Sequence, residues 1–151
     1  MTARGSQVIY PHRHLADVLT NNMKELKVTA DLGNKAFARL YDMTSEKECA
    51  YAMKSSNTII SCIGNRSWAR DLSEFEDSNI RVPMAIAKAA KMNKNTKRFI
   101  YISAAGADPN SQSKRLRTKW IGEQEVKEIF PDVTILRPTY IMGLLEPNHS
   151  I

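Results

Sequence analysis

Short runs of apolar residues alternate along this chain with longer segments in which apolar positions recur every three or four residues. The short runs are rich in β-branched and aromatic side chains and therefore predict strands. They cover residues 5–13, 36–41, 57–63, 98–103 and 133–137. The runs at 57–63 and 98–103 are mostly apolar, which is typical of buried strands, and the first of them is predicted to be buried on both faces.

The segments between these runs predict helices. Ser45 and Glu48 form a capping-box pattern that opens a helix running to about Lys54. Residues 75–92 have helical periodicity, interrupted by Pro83. A proline inside a helix removes a hydrogen-bond donor, so this position predicts a kink or a break between two helices.

The basic stretch 111–122, SQSKRLRTKWIG, opens a further helix that is predicted to end at about Phe130. It carries four cations within six residues. At about 100° per residue, one apolar stripe is formed by Leu116, Trp120, Val126 and Phe130. Lys119 falls on the same side of the helix, where a lysine is unusual. Either it faces an internal cleft, or its ammonium group reaches past the edge of the core into water.

Strands that alternate with helices predict an α/β fold, a Rossmann-like doubly wound parallel sheet, in a single domain over residues 1–151. Such sheets bind their ligands at the carboxyl ends of the strands. The residues that close the predicted strands are Arg13, Asp42, Gly64, Ser103 and Arg137. These residues are the first candidates for a binding site.

Three of the strand-end residues fit a dinucleotide, each with a simpler alternative. Arg13 suits the 2′-phosphate of NADP, where an acid would suit NAD, and the alternative is a solvated loop cation. Asp42 could accept a hydrogen bond from an adenine amino group, or it could be a turn residue. Gly64 would let the backbone lie close to a dinucleotide, or it could be a turn glycine.

Ser103 and Lys119 stand in the chain order of a Ser, Tyr, Lys proton relay, in which the tyrosine is the acid and the lysine lowers its pKa. The relay tyrosine precedes the lysine by four residues, and position 115 is arginine. Arg115 keeps its proton at pH 7 and cannot serve as the general acid. For an active enzyme, Tyr101 or Tyr140 would have to substitute from another element.

Composition narrows the class of protein without choosing a partner. With 151 residues, 42% of them hydrophobic, the chain has the material of one ordinary globular domain. No apolar run approaches the roughly 20 residues that span a bilayer. Cys49 and Cys62 have no metal-like neighbours, so both are predicted to be core residues in a reducing compartment. The net charge of +6 suits a nucleotide, anionic lipid, nucleic acid or an acidic protein.

Seven stretches, in collinear order over nearly the whole chain, resemble the atypical short-chain dehydrogenases. They are GSQVIYPHR, DLG at 31–33, NTIISCIG, FEDSNIRVPMAIAKAAK, RFIYIS, SQSKRLRTKWIGE and ILRPTYIMG. Within that family they are most similar to the nucleotide-binding accessory subunits of mitochondrial respiratory complex I.

The resemblance implies a tightly bound NADPH with a structural role, on the matrix side of the mitochondrial inner membrane. It implies other subunits of the matrix arm of complex I as partners, and proximity to the membrane without insertion. The implied cofactor contacts are Arg13 at the 2′-phosphate, Asp42 at the adenine, Gly64 beside the ribose and pyrophosphate, Lys119 at the nicotinamide ribose, and Ser103 in the same site. Since Arg115 replaces the relay tyrosine, the resemblance implies a pseudo-enzyme.

The family's first strand and glycine-rich turn are not found before Gly5. In the sheet order 3-2-1-4-5-6 that strand is central, and its omission would leave unpaired main-chain groups on both neighbouring strands. We therefore expect either that this chain is a fragment of a longer protein or that a separate polypeptide supplies the strand. Direct pairing of residues 7–10 with 58–63 would contradict this hypothesis.

Three hypotheses of function remain, and the leading one, which the resemblance implies, is a non-catalytic accessory subunit of complex I. The alternative is an active NADP-dependent reductase or epimerase, which needs a tyrosine within reach of Lys119 and Ser103. A nucleic-acid binder would use Lys91, Lys94, Lys97, Arg98 and the cations of the stretch 111–122. That reading is disfavoured because the interleaved aromatic side chains that stack bases are missing.

Overall fold

The computed structural model describes residues 8–12, 35–39, 42–64 and 71–139. Its elements, in chain order, are β1 (Val8–His12), β2 (Lys35–Arg39), α1 (Glu46–Met53), β3 (Thr58–Ser61), α2 (Leu72–Glu76), a π-helical turn (Asp77–Arg81), α3 (Val82–Met92), β4 (Arg98–Ile102), α4 (Lys114–Ile129) and β5 (Thr134–Leu136). Each of the five predicted strands is present, and within the described residues helices occupy the segments predicted to be helical. The predicted α/β fold with a parallel sheet is confirmed.

The strands form two parallel sheets, one of order β1-β2 and one of order β3-β4-β5. In the larger sheet Ser61 lies opposite Tyr101, and Tyr101 lies opposite Ile135. Within the described residues β1 and β3 share no ladder, so the pairing that would contradict a missing central strand is not observed. That missing strand stays a prediction.

The core lies against one face of the larger sheet. Phe99 and Tyr101 of β4 are fully buried there, and α3 contributes the fully buried Ala87 and Ala89. The ring of Phe99 also meets that of Phe130, just after α4, edge to face, with the centroids 5.7 Å apart. Small residues on α3 let this helix lie close to the aromatic rings, as interior packing density requires.

The prediction that residues 57–63 are buried on both faces is wrong. In β3, Ile59 and Ser61 are buried, whereas Thr58 is exposed and Ile60 is only half-buried. The strand β4 shows the same alternation. The reason is that α1, α3 and α4 place their buried apolar residues in one cluster on a single face of the sheet.

Ser45 caps the start of α1 as predicted, but Glu48 does not make the contact that a capping box predicts. The Ser45 hydroxyl accepts a hydrogen bond from the Glu48 main-chain N–H at 3.4 Å. The Glu48 carboxylate accepts instead from the N–H of Asp42, at 3.0 Å. The turn before α1 is thereby tied to the helix that follows it.

The interruption at Pro83 takes the form of a π-helical turn, and the helical segment continues through it. Because Pro83 has no N–H, it cannot donate to the carbonyl of Asn79, the acceptor four residues earlier. That carbonyl accepts instead from the hydroxyl of Tyr101, at 3.2 Å. The proline therefore frees a buried acceptor that the sheet uses.

The two cysteines differ in their surroundings. Cys49 is buried, as predicted, and burial together with the neighbouring carboxylates raises its pKa to about 11. The prediction of a core position is wrong for Cys62, which is exposed because β3 ends one residue before it. In the described ranges, no helix has the length and apolar character that crossing a membrane requires.

Candidate nucleotide-binding site

The buried face of α4 is mostly polar. Its members are Thr118, Lys119, Gly122, Glu123 and Val126. These positions recur every three or four residues, as one face of a helix requires. The predicted stripe is therefore wrong for Leu116 and Trp120, which are only half-buried. An amphipathic pattern assumes that the core accepts only apolar side chains, and here the partners of α4 supply polar acceptors.

Lys119 points inward and joins the ends of two strands. Lys119 is only 5% exposed, so the alternative in which its ammonium group reaches into water is wrong. The Nζ atom donates to the carbonyl of Ile63, after β3, at 2.9 Å and to that of Ile102, in β4, at 3.2 Å. It also lies 5.2 Å from the centre of the Tyr101 ring.

Burial changes the proton affinity of this lysine. Desolvation, with a smaller contribution from the nearby Arg115, lowers the pKa of Lys119 to about 8, while Cys62 and Glu123 act in the opposite direction. An amine in this range exists in both protonation states under mildly alkaline conditions. Lys119 is thus a buried cation held by neutral acceptors and not by a carboxylate.

Position 64 needs a glycine because the Lys119 side chain occupies the space that a Cβ atom would take. A Cβ atom at position 64 would lie 2.8 Å from the Lys119 Nζ and 3.3 Å from the Oδ1 atom of Asn79. Gly64 itself is exposed. The absence of a side chain there leaves main chain as the wall of the site, as the prediction of a close backbone approach requires.

Several buried polar atoms near these strand ends have no hydrogen-bond partner among the described residues. They are the hydroxyls of Ser61 and Ser103 and the Oδ1 atom of Asn79. Buried polar groups are normally paired, so unpaired ones favour a binding function for their surroundings. Ser103 directly follows Ile102, whose carbonyl binds Lys119. The structure therefore brings Gly64, Ser103 and Lys119 together at the carboxyl ends of β3 and β4.

One of the predicted site residues, Asp42, is not part of this cluster. Asp42 lies in the exposed turn before α1, where its Oδ1 atom accepts from the N–H of Thr44 at 2.8 Å and from its hydroxyl at 2.6 Å. These contacts match a turn role. Arg13 lies outside the described residues.

Asn79 is a member of the site that sequence reasoning missed. It is fully buried in the π-helical turn, and its Nδ2 atom donates to the hydroxyl of Thr118 at 3.0 Å. A Cβ atom at position 122 would overlap the Asn79 carbonyl, so Gly122 lets α4 approach the π-helical turn closely. The sequence signal for Asn79 was its place four residues before Pro83, where a helix leaves a main-chain carbonyl without its usual donor.

Glu123 is a second missed residue. It is 1% exposed, and the guanidinium group of Arg137 donates to both carboxylate oxygens, at 2.9 and 2.6 Å. Hydrogen bonding to this carboxylate raises the pKa of Arg137. The signal was the spacing of four residues between Lys119 and Glu123 on one helix.

The described residues contain no complete proton relay. Arg115 is half-buried on α4, one turn before Lys119. The Tyr101 hydroxyl is bound to the Asn79 carbonyl, and burial, followed by the charge of Glu123, raises its pKa. Tyr101 is therefore a poor proton donor, and Tyr140 lies outside the described residues.

The surroundings of Lys119 fit part of a nicotinamide dinucleotide. An ammonium group, an unpaired serine hydroxyl and an exposed glycine backbone match the hydroxyls of a ribose in their donor and acceptor chemistry. The ranges that the structure covers include no group of three or more His, Cys, Asp or Glu side chains that could hold a metal. The ammonium, hydroxyl and main-chain groups beside Lys119 suit a polar organic ligand.

Comparison with solved structures supports this fold. A short-chain dehydrogenase/reductase from Vibrio parahaemolyticus matches with a TM-score of 0.68 at 13% identity, over 92% of this chain and 75% of that one. A UDP-glucuronic acid 4-epimerase from Bacillus cereus, in complex with NAD, matches with a TM-score of 0.67 at 16% identity, over 88% of this chain and 48% of that one. At this level of identity the likeness shows a Rossmann-type fold and nothing finer.

Sequence comparison is more specific. No family model matches the chain. The mouse protein "NADH dehydrogenase [ubiquinone] 1 alpha subcomplex subunit 9, mitochondrial" is 39% identical over 139 residues, 92% of this chain and 35% of the relative. The protein of the same name from Arabidopsis thaliana is 33% identical, over 92% of this chain and 33% of the relative. The "NADH-ubiquinone oxidoreductase 40 kDa subunit" of Neurospora crassa is 33% identical, over 95% of this chain and 36% of the relative.

The chain thus spans about a third of the length of the curated relatives it matches. The matched part includes the strands and helices that form the candidate site, because it extends over nearly all of this chain. Over that length, this chain is similar in sequence to the subunit 9 proteins of mitochondrial NADH dehydrogenase, and its fold is of the Rossmann type.

Proposed function

We propose that this chain is part of a non-catalytic accessory subunit of mitochondrial complex I, which holds NADPH for a structural or assembly role. The observation that carries the proposal is that Lys119 is buried and donates hydrogen bonds to two main-chain carbonyls at the strand ends. Arg115 stands where a proton relay needs a tyrosine. The site can hold a polar ligand, but its described residues do not include the acid that a reductase would use.

The nicotinamide half of NADPH would lie against Lys119, Ser103 and Gly64. Their ammonium, hydroxyl and main-chain groups meet at one edge of the sheet, where ligands of doubly wound sheets bind. Asp42 would contact the adenine and Arg13 the 2′-phosphate. When bound, NADPH would stabilise the folded state by mass action, because the unfolded chain has no such site.

The partners in this proposal are other subunits of the matrix arm, on the matrix side of the inner membrane. The support comes from the names of the relatives: the mouse and plant proteins are named as subunits of mitochondrial NADH dehydrogenase, and the fungal protein as a subunit of mitochondrial NADH-ubiquinone oxidoreductase. The positive net charge of +6 is compatible with acidic neighbours in such an assembly.

The proposal is tested with Lys119→Ala in the protein assembled in cells, with Lys127→Ala as a control. Lys127 lies on the exposed side of the same helix, so its loss removes an equal charge away from the site. We expect Lys119→Ala to lower the NADPH that copurifies with complex I, and to lower the amount of assembled complex on native gels. Lys127→Ala should leave both at the wild-type level.

A second assay separates the accessory subunit from an active reductase. The purified wild-type protein is given NADPH and a panel of carbonyl substrates, and oxidation is followed by absorbance. No substrate-dependent oxidation is expected. Robust turnover that Lys119→Ala abolishes would instead assign the chain to an NADP-dependent reductase or epimerase.

A further inference from the structure

Two cations compete for one buried carboxylate beside the candidate site. Lys119 and Glu123 lie one helical turn apart on the buried face of α4, the spacing at which helical side chains pair. Yet the structure pairs Glu123 with Arg137 and leaves Lys119 to two carbonyls. The choice of partner by Glu123 therefore decides where Lys119 points.

The geometry of Arg137 favours its pairing with Glu123 over pairing of Glu123 with Lys119. Its planar guanidinium group meets both carboxylate oxygens through Nε and Nη2, a geometry that a single ammonium group cannot reproduce. The main chain on either side of Arg137 is also fixed. Leu136 accepts from the N–H of Ser103 at 2.7 Å, and Pro138 accepts from that of Ala105 at 2.8 Å.

We propose that Arg137 is a positioning residue for Lys119. By binding both oxygens of Glu123, it keeps the lysine ammonium group directed at the carbonyls that end β3 and β4. Without Arg137, Glu123 would be a buried anion with no counter-charge, a state that proteins avoid. Lys119 is the cation on the same buried face of α4, and a charge pair in a buried place outweighs hydrogen bonds to neutral carbonyls.

Among the described residues, the charged and titratable groups around Lys119 are few. Arg115 and Glu123 lie on its own helix, and Cys62 approaches from the loop after β3. The Tyr101 ring packs below the ammonium group. Of these groups, Glu123 carries the buried negative charge, so a change in its pairing has a direct effect on the lysine.

The proposal is tested by nuclear magnetic resonance on the purified protein with ¹³C-labelled lysine side chains. The Lys119 signal is identified by its loss in Lys119→Arg, and its titration midpoint is measured in each variant. In the wild type we expect a midpoint near pH 8. In Arg137→Met the lysine gains a carboxylate partner, so the midpoint should rise by about one pH unit or more.

Three further variants separate positioning from general stability. Arg137→Gln is neutral but still donates a hydrogen bond, so it should fold more readily than Arg137→Met and shift the midpoint in the same direction. Arg137→Lys restores the charge and should return the midpoint close to the wild-type value. Arg137→Met combined with Glu123→Gln removes the attracting carboxylate and should abolish the upward shift.

The idea fails if folded Arg137→Met and Arg137→Gln both titrate like the wild type. It also fails if neither neutral variant folds, because Arg137 would then act on stability alone. An upward shift that persists in the combined variant is a third contradicting result, since it would not come from Glu123. The readout concerns the lysine and not the nucleotide, so the outcome is independent of whether NADPH binds.

Discussion

Gly122 of α4 lies so close to the main-chain carbonyl of Asn79 that a Cβ atom at position 122 would overlap it. The same carbonyl accepts the hydroxyl of Tyr101 at 3.2 Å, so it has little freedom to move. Two backbones and a strand side chain thus meet at one point next to the candidate site. The closeness of this contact is what lets Lys119 reach both strand ends.

Gly122→Ala should destabilise the protein although alanine favours helices. The gain in helix propensity is at most about 1 kcal/mol, whereas overpacking against main chain costs about 1–3 kcal/mol and more where neither side can yield. We expect a net loss of about 2 kcal/mol in the free energy of unfolding, measured with urea. Gln124→Ala, on the exposed side of α4, is the matched control and should be near neutral. A Gly122→Ala variant as stable as this control would contradict the contact.

Gly64→Ala and Gly106→Ala should have similar effects on stability and different effects on the site. The new Cβ at 64 displaces the Lys119 ammonium group and weakens its hydrogen bonds, at a cost of about 1 kcal/mol. Gly106 has a φ of 81°, so alanine there costs about 1 kcal/mol through backbone strain, without contact to Lys119. The resonances of Lys119 should shift in Gly64→Ala but not in Gly106→Ala. If the Lys119 resonances shifted equally in both variants, the effect would not come from a direct contact between Gly64 and Lys119.

Stability should depend on pH through Lys119. The unfolded chain keeps this proton up to about pH 10.5, whereas the folded protein loses it near pH 8. Between these values the unfolded chain binds more protons, so the free energy of unfolding rises with pH. The cost of the buried charge is present in full below pH 8 and is relieved as pH rises, by about 3 kcal/mol in total.

Cys49 acts in the opposite direction, because its pKa is raised from 9.0 to about 11 and the folded protein keeps that proton longer. The contribution of Lys119 is therefore measured as the difference between wild type and Lys119→Met. This difference should grow in favour of the wild type from pH 8 to pH 10.5. A constant difference over that window would show that the lysine pKa is not lowered by the fold.

Asp42 can be tested for its turn and for its proposed adenine contact. Asp42→Ala removes the acceptor of both Thr44 hydrogen bonds and should cost about 1 kcal/mol in urea unfolding. Asp42→Asn keeps an acceptor oxygen and should cost less than half of that. If Asp42 also contacts adenine, Asp42→Ala should lower copurified NADPH while Ser45→Ala, which weakens the same helix start, should not.

The order of elements was predictable from the sequence because it depends on local patterns. The β-branched runs and the Ser45 cap each carry their signal within a few residues. The exposed outer face of β3 was not predictable, since Ile60 is as apolar as the buried Ile59. Which face is covered depends on where distant helices pack.

The candidate site was predictable in part. Lys119 stood out because a lysine on an inward stripe violates the usual pattern, and the structure confirms that it is buried. Its carbonyl partners could not be found in this way, because every residue carries the same main-chain oxygen. The pairing of Glu123 with Arg137 joins a helix to the end of a strand, and no local spacing indicates it.

The π-helical turn at Asp77–Arg81 also bears on how this chain can change length. A π turn holds one residue more than the α-helical turn it replaces. Deleting one residue within it would convert the turn to α-helix and keep α2 and α3 in their present rotational phase. A deletion elsewhere in the same helical run would rotate everything beyond it by about 100° and turn the alanine face of α3 away from Phe99. Single-residue length variation among relatives is therefore expected to concentrate in this turn.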